Sequence, residues 1–245
     1  MITISQPPLA FMITKIFAKG LFRSLFKIEL YGKNNIPKER NYIIISNHLN
    51  WIDPFLILMI FPSSPKIIFI AENEGIYDSK LKKSFINKMG KPIVTINRDE
   101  AKSRIRAVRS MMKVIKSKNN LAVFPEGRLG HAEGRLFPFY VGVFSVAKKM
   151  NTPVLPVAIS GTKVLSFRNP LKINIGELSY CRKTETDEDF AKRMALKMRE
   201  ILPEFPGEGP FPHRMNWMTN LFQEGLRPFE GEYNLIIKRN NKKKN

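Results

Sequence analysis

Cysteine is almost missing from this chain: Cys181 stands alone among 245 residues. No intramolecular disulfide can form, and a reducing setting is the expectation. Histidine is nearly as scarce, with three, and no Cys/His cluster has the spacing of a metal site. No serine occupies a G-x-S-x-G elbow, which removes the serine-hydrolase triad from consideration. A cleavable leader is not expected either, because Lys15, Lys19, Arg23 and Lys27 interrupt the apolar residues near the N-terminus. Long uncharged apolar runs are lacking as well. Residues 42–61 come nearest, yet they hold Asn47, His48, Asn50, Asp53 and Pro54, and one central Asp alone costs about 2.5–3.5 kcal/mol on insertion. A buried strand over 42–46, a polar turn and a helix from 53 or 54 to 60 suit that segment better.

Negative charge is the remaining shortage. Against 21 Asp and Glu stand 41 Lys and Arg, a formal net charge of +20. Such a field favours anionic partners: nucleic acid, an acidic lipid surface or an acidic carrier protein. No aromatic RNA-binding signature or helix-turn-helix pattern is found, so nucleic acid is not the expected partner. What is present can build a core, since 43% of residues are apolar and the length suits one large domain with appendages.

Short apolar runs at 66–71, 92–96, 121–124 and 154–159 suit strands buried on both faces, with 172–175 as an added edge strand. Between them, 79–89, 100–118, 141–150 and 186–202 read as helices, several of them basic on the outside. The alternation predicts an α/β fold, with a mixed, largely parallel central sheet flanked by helices. Three parts are expected: 1–34 as N-terminal amphipathic helices, 35–202 as the main domain, and 203–245 as an extension. The extension opens on a Pro- and Gly-rich stretch. It ends in 238–245, with five positive charges and no apolar residue, a tail that solubilises the chain or touches an anionic surface.

Lys15, Lys19, Arg23 and Lys27 recur every four residues. In a helix over 10–28 each step drifts by about 40°, so the four charges share one stripe. Phe11, Ile16, Phe17, Leu21, Phe22, Leu25 and Phe26 fill most of the rest. A wide apolar face beside a cationic stripe fits a helix lying in the plane of a membrane. The same periodicity serves a helix packed on the protein's own core.

Two constellations carry chemistry. His48 precedes Asp53 by five residues, across an expected strand-to-helix turn. There a carboxylate can orient an imidazole base and stabilise its protonated form. Downstream, Phe124-Pro125-Glu126-Gly127-Arg128 follows an expected buried strand, where ligands of α/β folds commonly bind. Gly127 permits close backbone approach and Arg128 offers a planar fork to phosphate or carboxylate. With no protein nucleophile in view, direct attack by a substrate hydroxyl is the simpler mechanism.

Four ordered blocks over about residues 40–180 resemble the glycerolphosphate acyltransferases, in particular the lysophosphatidic acid acyltransferase (1-acylglycerol-3-phosphate O-acyltransferase) branch. Asn47 to Asp53 is similar to the family's N-H-x4-D. Gly90 to Arg98 is similar to its glycine-to-arginine block. Phe124 to Arg128 with Gly134, Leu136, Pro138, Phe139 and Gly142 forms the third. Val154-Leu155-Pro156-Val157-Ala158-Ile159 with Gly161-Thr162 forms the fourth.

The resemblance implies acyl transfer from a thioester, acyl-CoA or acyl carrier protein, to the free hydroxyl of 1-acylglycerol-3-phosphate, making phosphatidic acid in phospholipid biosynthesis. It implies no bound cofactor beyond that co-substrate. His48 would take the hydroxyl proton, Asp53 would orient it, and Arg98 and Arg128 would bind the acceptor phosphate. Glu126 would organise its loop, Gly127 N–H would be a candidate oxyanion donor, and Pro156 would shape the acyl pocket. The setting implied is the cytoplasmic face of the cell membrane, held peripherally or monotopically on anionic lipids. Alternatives are a sister enzyme acting on glycerol-3-phosphate or another lysophospholipid, and a non-catalytic basic module binding membrane or nucleic acid.

Three positions depart from the family pattern. Asn50 stands where Ser is frequent. Arg128 comes one place earlier than in F-P-E-G-T-R-S. Glu72 in Ala71-Glu72-Asn73-Glu74 replaces a frequent Lys, so that a backbone N–H or another cation, such as Lys66 or Lys91, would take over, or substrate or rate has shifted.

Overall fold

The computed structural model describes residues 9–38, 40–72, 93–97, 100–130, 132–165 and 167–204. Helix α1 (Leu9–Leu25) passes directly into strand β1 (Phe26–Tyr31). The helix expected over 10–28 therefore stops three residues early. The run Phe-Lys-Ile-Glu-Leu-Tyr alternates apolar and polar, the period of a half-buried strand, and all six residues pair with a partner strand. The four-residue spacing of the charges concealed that change of period.

There follow β2 (Ile43–Ser46), α2 (Asp53–Ile60), β3 (Ile67–Glu72) and β4 (Ile93–Ile96). Then come α3 (Ala101–Lys116), β5 (Asn120–Val123) and α4 (Gly142–Lys149). The described chain closes with β6 (Val154–Ser160), β7 (Asn169–Ile175) and α5 (Asp187–Glu200). The helix expected over 79–89 and the stretch from 205 to the basic tail lie outside the described residues.

The seven strands form one sheet in the order β1-β7-β6-β2-β5-β3-β4. Neighbours are parallel except β6 and β7, so the sheet is mixed and mostly parallel, as expected. The short edge strand expected at 172–175 is instead a seven-residue interior strand between β1 and β6. Its burial alternates strictly along its length.

Successive residues of the central strands serve opposite layers. Ile44, Leu155, Val157 and Ile159 face one core, closed by Leu56 and Ile57 of α2 with Phe22 and Leu25 of α1 against it. Ile43, Ile45, Val154 and Ala158 face the other, closed by Met111 and Val114 of α3, Phe144 of α4, and Phe190 and Met194 of α5. Helix α5 is set by its ends: Thr186 accepts from Asp189 N–H at 3.1 Å, acids fill the first turn, and Lys197 and Arg199 sit in the last. No helix among the described residues is long and apolar enough to cross a membrane.

Strands β6, β2 and β5 are neighbours and parallel. Their carboxyl ends therefore raise three loops side by side: 47–52, 124–140 and 161–168. That edge is where open α/β sheets take ligands.

Candidate active site

The site is built first from the turn between β2 and α2. Asn47 continues the β2–β6 pairing with its side chain, donating from Nδ2 to Ile159 C=O at 2.8 Å and accepting the Ile159 N–H at 2.7 Å. The turn is thereby fastened to the sheet before the chain reaches His48. Asp53 opens α2, where a carboxylate suits the positive helix end and the following Pro54 needs no N–H partner. Its Oδ2 accepts from Leu49 N–H at 2.7 Å, Asn50 N–H at 2.8 Å and His48 Nδ1 at 2.9 Å.

Asp53 is fully buried, while the His48 side chain keeps 17% of its surface exposed. The aspartate therefore holds Nδ1 as the protonated nitrogen and leaves Nε2 as the basic one. The ring also stacks on Phe124, with centroids 4.0 Å apart at 18°, and Phe124 in turn stacks on Phe69. Asn50 is buried and its Oδ1 accepts from Ile52 N–H at 3.3 Å, so at the position where Ser is frequent this residue serves the turn.

The second element is the loop after β5. Glu126 is buried and spans two segments, accepting His48 N–H through Oε1 at 3.3 Å and Phe137 N–H through Oε2 at 2.8 Å. Burial is the main cause that pushes its carboxyl up to about 7, with Asp53 adding to it and the two N–H groups and Arg128 opposing. The base of the loop is closed by Tyr140 N–H on Pro125 C=O at 2.8 Å. Arg128 is exposed and its guanidinium lies 4.0 Å from the Phe137 ring centroid, a stacked arrangement that leaves its edges to an anion.

Gly127 has φ +69°, a left-handed conformation that glycine adopts freely. Its N–H donates to Phe124 C=O at 3.0 Å. The N–H expected as an oxyanion donor thus closes the turn on which Arg128 stands.

Two further expectations concern Pro156 and Lys66. Pro156 sits inside β6, buried, opposite Ile45 of β2. A side chain at Gly176 would come within 2.9 Å of its Cγ. Proline is tolerated there because the pairing with the β7 segment slips by one residue between Val157↔Ile175 and Val154↔Ser179, so no N–H is demanded of it. It is a packing residue of the sheet, level with Ile45 and so three residues before His48 in register.

Lys66 precedes β3 at its amino end, where its C=O accepts Asn120 N–H at 2.8 Å, a strand's length from His48. Arg98, Lys91 and the side chain of Glu72 lie outside the described residues, as do His131 and His213. Sequence reasoning passed over Glu133, Lys163 and the Phe124 ring. The first two adjoin the motif blocks, directly before Gly134 and after Thr162, but no spacing rule joins residues thirty positions apart.

A family model described as Acyltransferase matches residues 27–160. Over 168 residues the chain is 28% identical to the chloroplastic 1-acyl-sn-glycerol-3-phosphate acyltransferase BAT2 of Brassica napus, covering 68% of this chain and 47% of that protein. Over 166 residues it is 29% identical to the 1-acyl-sn-glycerol-3-phosphate acyltransferase of Borreliella burgdorferi, covering 66% and 62%. The chain thus spans about half the length of the first of these relatives and 62% of the second. The crystal structure of the 1-acyl-sn-glycerophosphate (LPA) acyltransferase PlsC from Thermotoga maritima superposes with a TM-score of 0.63 at 25% identity, covering 78% of each chain.

Proposed function

The chain belongs to the acyltransferase family, and on that premise we propose that it moves a fatty acyl group from a thioester to the free hydroxyl of 1-acylglycerol-3-phosphate, giving phosphatidic acid. The observation that carries this reading is the 2.9 Å contact between His48 Nδ1 and buried Asp53, set beside the loop that presents Arg128. Relatives named for this acceptor in a plant plastid and a bacterium support it.

In the reaction, the acceptor phosphate pairs with the Arg128 guanidinium, which brings the hydroxyl toward Nε2 of His48. Nε2 takes the hydroxyl proton as the oxygen attacks the thioester carbonyl carbon. Asp53 stabilises the imidazolium that forms. The tetrahedral intermediate then expels the thiolate, which recovers a proton from the imidazolium, leaving an ester and a free thiol. The donor is acyl-CoA or acyl carrier protein.

We place the work at the surface of an anionic membrane, the cytoplasmic face, with the chain held peripherally. Ile16, Phe17 and Leu21 of α1 are 71%, 78% and 51% exposed, and Lys19 and Arg23 lie exposed on the same helix. Apolar residues and cations in that order suit a helix lying among lipid headgroups.

The test is acyl transfer to 1-acylglycerol-3-phosphate in vesicles, run with both donors, on the native chain, His48→Ala and Arg128→Ala. The expected result is phosphatidic acid from the native chain, a loss of about 10²–10⁴ in rate for His48→Ala, and a raised acceptor KM for Arg128→Ala. No product from folded, vesicle-bound protein with either donor overturns the acceptor, and glycerol-3-phosphate and other lysophospholipids are then the substrates to assay.

A further inference from the structure

Glu126 holds the inner end of the Arg128 loop, but a second set of bonds holds its outer end, and the reaction as proposed makes no use of them. Glu133 Oε1 accepts the N–H groups of Gly161 and Lys163, each at 3.0 Å, and Oε2 accepts the Ser160 hydroxyl at 3.0 Å. Lys163 answers in the other direction, donating from Nζ to Gly130 C=O at 2.8 Å. Gly130 N–H then donates to His48 C=O. At Gly130 the backbone lies so close to the catalytic turn that a Cβ would meet Leu49 Cδ2 at 3.0 Å and His48 O at 3.3 Å.

The three loops at the carboxyl edge of the sheet are therefore tied in series: β6 end to Glu133, Lys163 to Gly130, Gly130 to His48. Arg128 sits two residues from Gly130, between the Glu126 anchor and this clasp. Burial works against both charges, pushing the Glu133 carboxyl up and the Lys163 amine down, while each is opposed by its hydrogen bonds or by the opposite charge nearby, Asp53 included for Lys163. An acid and a base each partly buried on backbone groups of the neighbouring loop, with Asp53 among the charges they feel, are more than solvated surface contacts.

We propose that Glu133 and Lys163 are positioning residues: their reciprocal clasp between the two loops sets the distance from Arg128 to His48, and with it the span from anionic headgroup to reacting hydroxyl that an acceptor must match. This rests on the acyl-transfer reading above. A displacement of about 1 Å in such a span is enough to cost roughly a hundredfold in rate.

The experiment compares the full chain with Lys163→Met, Lys163→Arg, Glu133→Ala and Glu133→Gln, in vesicles, per folded protein. Its readouts are kcat, KM for 1-acylglycerol-3-phosphate, KM for the thioester, and amide exchange of peptides covering 124–137. For Lys163→Met and Glu133→Ala, acceptor kcat/KM should fall about 10- to 100-fold while donor KM stays within about twofold, and exchange over 124–137 should quicken. Lys163→Arg and Glu133→Gln, which can keep a donor and an acceptor in place, should recover most of the loss.

Equal effects on both substrates, no recovery in the conservative variants, or unchanged exchange over 124–137 would each overturn the clasp. If the native chain acylates a different anionic acceptor, the same split is read on that one. Failure of the acceptor reading is then visible apart from failure of the clasp.

Discussion

Glu126 is 2% exposed, yet its two oxygens hold backbone groups from His48 and Phe137, and burial sets its carboxyl near 7 against an ordinary 4.5. A carboxyl raised on folding binds protons more tightly in the native state than in the unfolded one. Its contribution to stability is complete below about 4.5 and is lost as pH rises through about 7. The native chain should lose on the order of 3 kcal/mol between those limits through this group. Glu126→Gln should flatten that slope, as read by denaturant midpoints across the same pH range. The residue types of the site were legible in sequence, because His48, Asp53, Glu126 and Arg128 belong to compact motifs whose chemistry follows from side-chain type. Which atoms are already spoken for was not legible. Gly127 N–H closes a turn, and that depends on a φ angle and a carbonyl three residues back.

Helix α1 shows the same division at the scale of elements. Periodicity identified its cationic stripe, but one apolar face became two. Phe22 and Leu25 pack on the core, and Lys15 anchors the helix through Nζ to Phe61 C=O at 2.7 Å and Ser63 Oγ at 2.9 Å. Ile16, Phe17 and Leu21 are left facing outward. Phe17→Glu should therefore weaken binding to anionic vesicles, measured by flotation, with the unfolding midpoint nearly unchanged. Phe22→Ala should do the reverse, retaining vesicle binding while lowering stability by about 1–3 kcal/mol, below the full-burial range because the ring is only partly covered. Equal loss of vesicle binding in both would show that α1 presents no distinct outer face. Strand β1 was hidden by its neighbour: charges at every fourth residue ran on from α1 into it, and only pairing with β7 decides that this stretch extends.

At the scale of the whole molecule the net charge is +20, and among the described residues helix exteriors carry part of the positive charge. Arg104, Arg106 and Arg109 of α3 lie exposed, Arg106 paired with Glu100 at 3.3 Å. Such charges act together on anionic surfaces and are screened by salt, the Debye length falling from about 10 Å at 0.1 M to about 3 Å at 1 M. Binding to anionic vesicles should weaken as salt rises but retain the part carried by the outer apolar residues of α1. Duplex DNA binding, if present, should fall steeply over the same series. Flotation and DNA titration run side by side check this. Binding to DNA that outlasts binding to vesicles would favour a nucleic-acid module instead.

Alternation of short apolar runs with amphipathic helices determined the α/β class and a largely parallel sheet, because the periods of burial are written residue by residue. The motif residues determined which chemistry is available, because an imidazole, a carboxylate and a guanidinium carry their reactivity with them. Tertiary structure alone decided the rest. It put β7 inside the sheet and set Pro156 opposite Ile45. It closed Glu133 and Lys163 on the Arg128 loop. Each of these turns on strand order and on hydrogen bonds between segments far apart in the chain, and such contacts leave no period in the sequence to read.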